Sequence, residues 1–366
     1  MNDVIRGRVN AQKIKSQIFS LLTTWGMPAD TAETTAELMM QTDLIGIDSH
    51  GISMLPAYEE KLKAGTLNLA GRATVIKEGP SFALLDGQAG LGHPASAEGM
   101  RLAIKKARET GMGMVGVRNS HHFGAAGIYA RMASDAGLLA FVTSSAKTLI
   151  LVPTGASVPM LGTNPIAFAA PAQRNNDFVL DMATTTVAAN KVKVYDYLNK
   201  PLPKGWAVNE HGQAVTDSAV AMDYIFKRPN GGLTPLGSAE HTSSHKGYGL
   251  AMMAQILGGT LTGSAFAALQ SDQQKHDDVG HFFFVIDPEI FLPSGLFQSN
   301  LDDMIDAMHA TPPAHPDGHV QVAGDPEALA RADREANGIP ISVALDTRIQ
   351  SICHRAGANY LLFDTL

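Results

Sequence analysis

The chain has 366 residues, 45% hydrophobic and 17% charged, with a formal charge of −7 at pH 7. That length can bury a large core and suggests about two domains. The acidic balance and the lack of any Lys/Arg-rich block argue against nucleic acid as a partner and point to small molecules.

The opening stretch, MNDVIRGRVNAQKIK, lacks the apolar centre of a signal peptide. Apolar runs are broken by Gly, Pro or charge before the roughly 18 residues a membrane helix needs, so no membrane span is expected. Cys353 is the only cysteine, which excludes an internal disulfide and fits a reducing, cytoplasmic location. Asn10 is placed to cap a helix over residues 11–24, with Ile14, Ile18, Leu21 and Leu22 on one stripe and Gly26 as its stop. Asp30 is placed to cap a second helix reaching Leu44. Residues 47–52, IDSHGI, break the pattern, and helical spacing resumes through Tyr58 to Lys63. Asp48, Ser49 and His50 are neighbours in the chain, and neighbours cannot converge as a nucleophilic triad.

Two short strands are predicted between Arg72 and Asp86 around Gly79-Pro80, followed by a helix over 95–110. Gly111 to Gly116 spells GxGxxG, but a helix precedes it and a strand follows, the reverse of the order a dinucleotide fingerprint requires, so it reads as a helix stop. The chain is organised around RNSHHFGAAG (118–127). Adjacent histidines on an irregular segment point apart, so at most one of them faces a given pocket, and the small residues after them let another molecule approach the backbone. A helix follows, placing Gly124, Ala125 and Ala126 at an N-terminus that favours an anion such as a phosphate. The competing interpretation is a core histidine with a packing turn.

Strands follow at 138–143, 166–170 and 178–182, and the alternation of strand with helix indicates a layered α/β domain. The turns at 162–165 and 181–186 carry hydroxyls suited either to a carboxylate or ribose-phosphate, or to ordinary capping. Residues 199–244 read as a long surface excursion. From Lys246 the sequence GYGLAMMAQILGGTL is apolar nearly all round, which predicts a buried helix with Lys246 at its polar mouth. His241 and His245 have the spacing of a zinc pair but lack the HExxH glutamate, and no metal is expected. A buried strand at 282–286, a helix at 296–309 and two last helices at 326–336 and 348–356 complete the chain.

Six segments in one order, DSHGISMLPAYEEKLKAGTLN (48–68), RNSHHFGAAGIYA (118–130), LGTNPIAFAAP (161–171), LDMATT (180–185), LPKGWAVNEHG (202–212) and HKGYGLAMM (245–253), closely resemble the type-2 malate/L-lactate dehydrogenase family. That family also holds ureidoglycolate, sulfolactate and diketogulonate oxidoreductases and a cyclic-imine carboxylate reductase. The resemblance implies a mixed α/β (α+β) fold of the malate/L-sulfolactate dehydrogenase type, whose NAD(P)-binding domain is unrelated to the Rossmann fold. The expected division is a mainly helical domain of residues 1–70 plus 300–366, carrying His50, and a mixed-sheet domain of residues 71–299. A cytoplasmic homodimer is expected.

By the same resemblance, hydride passes between NAD or NADP and the 2-keto carbon of a small carboxylate, and a histidine moves the accompanying proton. His50 and His122 match acid/base positions, with Ser49 orienting His50. His122, Phe123, Gly124, Ala125 and Ala126 match one cofactor-contacting turn, Asp181, Met182 and Ala183 a second, and Lys246 a third, with Ser145 a further cofactor match. Thr163 and Thr184 match substrate-contacting hydroxyls. Many family members carry Arg four residues after the SHG histidine, where it grips the substrate carboxylate. This chain has Met54, so Lys147, Arg118 or Lys246 is expected to supply the cation, or the substrate is less anionic there. The alternatives are a cyclic-imine carboxylate reductase, a non-catalytic cofactor-binding homologue and a zinc hydrolase using the histidine pairs.

Overall fold

The computed structural model describes residues 5–271 and 275–364. β1 (Ile5–Val9), α1 (Ala11–Thr24), α2 (Ala29–Leu44) and α3 (Leu55–Lys63) open the chain, followed by β2 (Thr74–Glu78), β3 (Phe82–Asp86), α4 (Gly92–Thr110), β4 (Met112–Ser120), α5 (Ala126–Ser134), β5 (Leu139–Ser144), β6 (Ile166–Ala170) and β7 (Phe178–Met182). A smaller run holds α6 (Ala189–Tyr197), β8 (Ala207–Val208), β9 (Ala214–Val215), α7 (Ser218–Phe226) and β10 (Gly232–Leu233). α8 (Ser244–Gln255), β11 (Val279–Ile286), α9 (Leu296–His309), α10 (Asp325–Asn337), β12 (Ile339–Ser342) and α11 (Val343–Ala356) complete it.

Asn10 caps α1 as its position predicts, accepting the Gln12 N–H at 2.8 Å. The stripe of Ile14, Ile18, Leu21 and Leu22 is fully buried, in one cluster with Met39, Ile52, Leu55 and Tyr58 and with Ile339, Ile349 and Ile352 from the far end of the chain. β1 pairs antiparallel with β12 and ties the two ends together. Neither strand was foreseen, because each is too short and irregular to give a period-2 signal.

Among the described residues, seven strands form the main sheet in the order β2-β3-β4-β11-β5-β6-β7. Only β3 and β4 run parallel. β11 is inserted late in the chain between β4 and β5, antiparallel to both. Val115, Val117, Val142, Phe283 and Val285 face the same layer as Ala103, Ala107, Tyr129 and Ala133 of α4 and α5, and all are completely buried. Gly116 points to the opposite face, where an added Cβ would meet Thr262 at 3.1 Å. The GxGxxG stretch lies at a helix-to-strand turn: Gly111 ends α4 with φ +85°, and a Cβ on Gly113 would sit 2.1 Å from the Ala103 carbonyl oxygen. These glycines serve the close approach of α4 to the sheet.

Two expectations are corrected. Residues 199–244 are not a surface excursion. α6, α7 and the small β10-β8-β9 sheet enclose a core of Ile150, Val192, Leu202, Ala207, Tyr224 and Leu233, whose apolar residues are too widely spaced among Pro and Gly to show as periodicity. The apolar α8 and the π-turn after it, Ile256–Thr260, are buried on one face only: Met252, Ile256 and Leu261 remain 37%, 50% and 63% exposed. Among the described residues no second layer covers that face. α9 packs Leu301 and Ile305 against Phe168, Ala170 and Phe178 at the sheet. No helix among the described residues is long and apolar enough to cross a membrane.

Candidate active site

His50 and His122 meet ring to ring. Their centroids lie 5.5 Å apart with planes 23° from parallel, and both side chains are partly buried. The loop carrying His50 is shaped from beneath by Asp43, at the buried end of α2, whose Oδ2 accepts the Ile52 N–H at 2.9 Å. Gly51 lies on that carboxylate so closely that a Cβ would sit 1.9 Å from Oδ1. Burial pushes the Asp43 carboxyl well above its usual range, and the Ile52 N–H opposes that only in part. Arg334 of α10 donates to the Asp43 carbonyl at 2.6 Å and pairs with Asp48. Ser49 Oγ lies 2.7 Å from His50 Nδ1.

The His122 turn hangs from the end of β4. His121 and His122 point apart: His121 Nε2 lies 2.8 Å from Asp277 Oδ2, while His122 turns to His50. Burial would raise the Asp277 carboxyl, but His121 and Lys61 outweigh it and hold it at about 2. The Tyr58 hydroxyl lies 2.8 Å from His122 Nδ1, and the Gly124 N–H donates to the same nitrogen at 3.4 Å. A backbone N–H can only donate, so Nδ1 accepts and the proton of the neutral ring sits on Nε2. Burial keeps the Tyr58 phenol protonated. Burial, reinforced by His50, His93 and His121, holds His122 well below the usual imidazole value, and burial lowers His50 as well.

Phe123 is a core side chain. It stacks on His281 at 4.5 Å and on Tyr129 at 5.1 Å, and His281 is fixed by Ser144 Oγ at 2.9 Å and Ser120 Oγ at 3.0 Å. The N-terminus of α5 already carries an anion, because the Gly127 N–H donates to Asp181 Oδ2 at 2.8 Å. A phosphate expected there would meet that carboxyl first. Burial raises Asp181 to about 6.

The second group of expected residues is joined to the first through these contacts. Ser145 follows Ser144, accepting the Gly280 N–H at 3.0 Å. Lys147 is partly buried, and its neighbours Ala146 and Thr148 pack on Gly162, beside Thr163. The Thr184 hydroxyl is committed to the carbonyls of Thr163 at 2.9 Å and Asn164 at 3.1 Å. Leu236, which donates to the Thr184 carbonyl at 2.9 Å, packs on Gly247, next to the exposed Lys246. Asp181, Met182 and Ala183 are partly buried at the end of β7. Met54 packs on the helical core, and Arg118 is drawn to Asp86 at 3.7 Å. The described residues contain no cluster of three His, Cys, Asp or Glu able to hold a metal. Tyr58, Asp43, His93 and Asp277 escaped the sequence analysis. Tyr58 alone left a signal, in the first turn of α3, the helix after the SHG loop.

The sequence profile described as malate/L-lactate dehydrogenase matches residues 9–350. The chain belongs to the malate/L-lactate dehydrogenase family. This family member is 38% identical over 357 residues to a malate dehydrogenase of Pyrococcus horikoshii, covering 97% of each chain. It is 32% identical over 348 residues to a malate/(S)-sulfolactate dehydrogenase of Methanothermus fervidus, covering 94% of this chain and 96% of that one. Its fold superposes on the solved Pyrococcus horikoshii malate dehydrogenase with a TM-score of 0.86 at 35% identity, over 99% and 98% of the two chains. The protein is a hydroxyacid dehydrogenase, and its substrate is a small carboxylate.

Proposed function

We propose that this dehydrogenase interconverts a small 2-keto acid and its 2-hydroxy acid with NAD or NADP, and that His50 and His122 form the proton-transfer pair. The observation that carries this is the stacked pair itself, each ring anchored at Nδ1 by a hydroxyl and set where the two halves of the fold meet. Two imidazoles so close hold at most one charge between them, so a single transferable proton is available. His122 presents its Nε2–H toward the substrate oxygen. His50 faces the Ser49 hydroxyl, which accepts or donates, so this ring can carry the second proton, giving it up as the substrate oxygen becomes negative on reduction and taking it back from the substrate hydroxyl on oxidation.

The residues fit a nicotinamide dinucleotide, which supplies the hydride when bound. A Cβ on Gly124 would meet His93 and one on Gly127 would meet Asp181, so these glycines press the turn onto the protein's own side chains, and the proposed cradle lies beside them. Gly124, Ala125 and Ala126 line one side of that cradle, Asp181, Met182 and Ala183 the next, and Ser145 and Lys246 bound it, in a fold distinct from the Rossmann type. Thr163 orients the substrate and Thr184 supports Thr163. Lys147, without an ion pair among the described residues, takes the substrate carboxylate in the role Met54 leaves open. The helical domain, 1–70 plus 300–366, brings His50, and the sheet domain, 71–299, brings His122. The uncovered face of Met252, Ile256 and Leu261 pairs two copies as a cytoplasmic homodimer.

The test is a fluorescence titration with NADH and NADPH, followed by their oxidation with pyruvate, oxaloacetate, phenylpyruvate, sulfopyruvate and a cyclic imine carboxylate. Saturable binding with turnover of a 2-keto acid supports the proposal. Turnover of the imine alone replaces the substrate class, and binding without turnover leaves a non-catalytic homologue.

A further inference from the structure

We propose that His93 is a positioning residue of the proton-transfer centre, acting on His122 through Tyr58 and Gly124. This rests on the reading that His122 takes part in proton transfer.

His93 stands in the first turn of α4, 2% exposed, and neither ring nitrogen has a hydrogen-bond partner among the described residues. A polar ring buried without partners is destabilising, and an apolar side chain of the same size would avoid that cost. Packing alone therefore does not account for a histidine here. Its surroundings do. Its ring meets the edge of Tyr58 at 6.1 Å and 78°, and a Cβ on Gly124 would lie 2.8 Å from its Nε2. Tyr58 and Gly124 are the two donors to His122 Nδ1. The residue before it, Gly92, donates its N–H to the His122 carbonyl at 3.0 Å and is packed so tightly that a Cβ would meet the His121 carbonyl at 2.4 Å. His93 is thus wedged behind both groups that select the His122 tautomer, on a helix end fastened to His122 itself.

The titratable groups facing this corner are Tyr58 from α3, His50 from the loop before it, His121 and His122 from the turn, and His281 from β11. Burial, with His50 and His121 adding to it, holds His93 at about 3, so near pH 7 it acts as a neutral polar wedge and never as a charge.

The experiment compares His93→Phe, which keeps the ring volume without its nitrogens, with His93→Gln, which restores a donor and an acceptor, and with His122→Ala. Turnover is followed with NADH and oxaloacetate, and the His122 ring nitrogens by ¹⁵N NMR of histidine-labelled protein. His93→Phe should lower kcat roughly tenfold while the KM for NADH stays within about twofold, and His93→Gln should recover most of the loss. The ¹⁵N signals should show the Nε2–H form of His122 depleted in His93→Phe and restored in His93→Gln. Wild-type kcat and wild-type ¹⁵N shifts in His93→Phe overturn the proposal. So does a joint loss of kcat, NADH affinity and melting temperature in both His93 variants, since that is a packing defect. If His122→Ala loses turnover while His93→Phe keeps it, only this inference falls; if His122→Ala turns over normally, the reading of His122 falls with it.

Discussion

The two turns that bring the stacked histidines together are held by different physics. Around His50 the restraints are polar: the Asp43 carboxyl under Gly51 and Ile52, and Arg334 bridging the Asp43 carbonyl to the exposed Asp48. Around His122 they are steric: the Gly92 backbone against residues 121–123, Phe123 stacked between His281 and Tyr129, and Gly124 at φ +80° against His93. A polar clamp can be loosened by charge and salt, whereas a packed turn yields only to a change of volume or to unfolding. The site therefore combines one adjustable ring with one fixed ring.

The largest effect should come from the rings themselves. Replacing His122 or His50 by Ala is expected to lower the chemical step by about 10²–10⁴, measured by single-turnover oxidation of NADH, with the larger loss at the ring that delivers the proton. Full activity in both variants would sink the proton-transfer pair.

Next come the two glycines. Gly124→Ala faces both a left-handed backbone and His93 at 2.8 Å, and Gly51→Ala faces Asp43 Oδ1 at 1.9 Å. Each should cost about 3 kcal/mol in urea denaturation. The contrast between the turns predicts that Asp43→Ala partly rescues Gly51→Ala, while no single polar substitution rescues Gly124→Ala. Equal rescue at both would erase the distinction.

The steric turn also carries a pH signature. His93 and His281 are held at about 3 in the fold, against 6.5 for an ordinary imidazole. Above pH 6.5 neither state binds these protons. Below it the unfolded chain binds them first, so stability falls with falling pH by about 1.4 kcal/mol per pH unit for each ring. Asp181, raised to about 6, and Asp43, raised well above its usual range, work in the opposite direction, while the lowered His50 and His122 add to the loss. Denaturation midpoints at pH 7 and pH 5 should show the net loss, and a flat profile would mean that these rings are not buried neutral. The smallest expected effect belongs to the polar clamp. Arg334→Ala should cost about 1 kcal/mol or less, and its penalty should shrink in high salt; a salt-independent penalty would place this loop with the packed one.

Much of this was legible beforehand. The capped, striped α1 and the strands of aliphatic and aromatic residues follow from short-range periodicity, which depends only on neighbours in the chain. The irregular SHG and HHFG segments announce themselves for the same reason, since small and polar residues there interrupt every pattern. The core of the 187–233 region and the pairing of β1 with β12 were not legible, because they depend on contacts between residues far apart in the chain.

The sequence by itself singled out the candidates for the chemistry, Ser49, His50 and His122 among them, and determined the period of the elements that bear them. The tertiary structure alone decided that His50 would stack on His122, that Tyr58 and Gly124 would both address His122 Nδ1, and that Asp181 would close the end of α5. Periodicity encodes which face of an element is buried, but the meeting of residues 50, 58, 93 and 122 is set by how two cores pack together, and no local pattern carries that information.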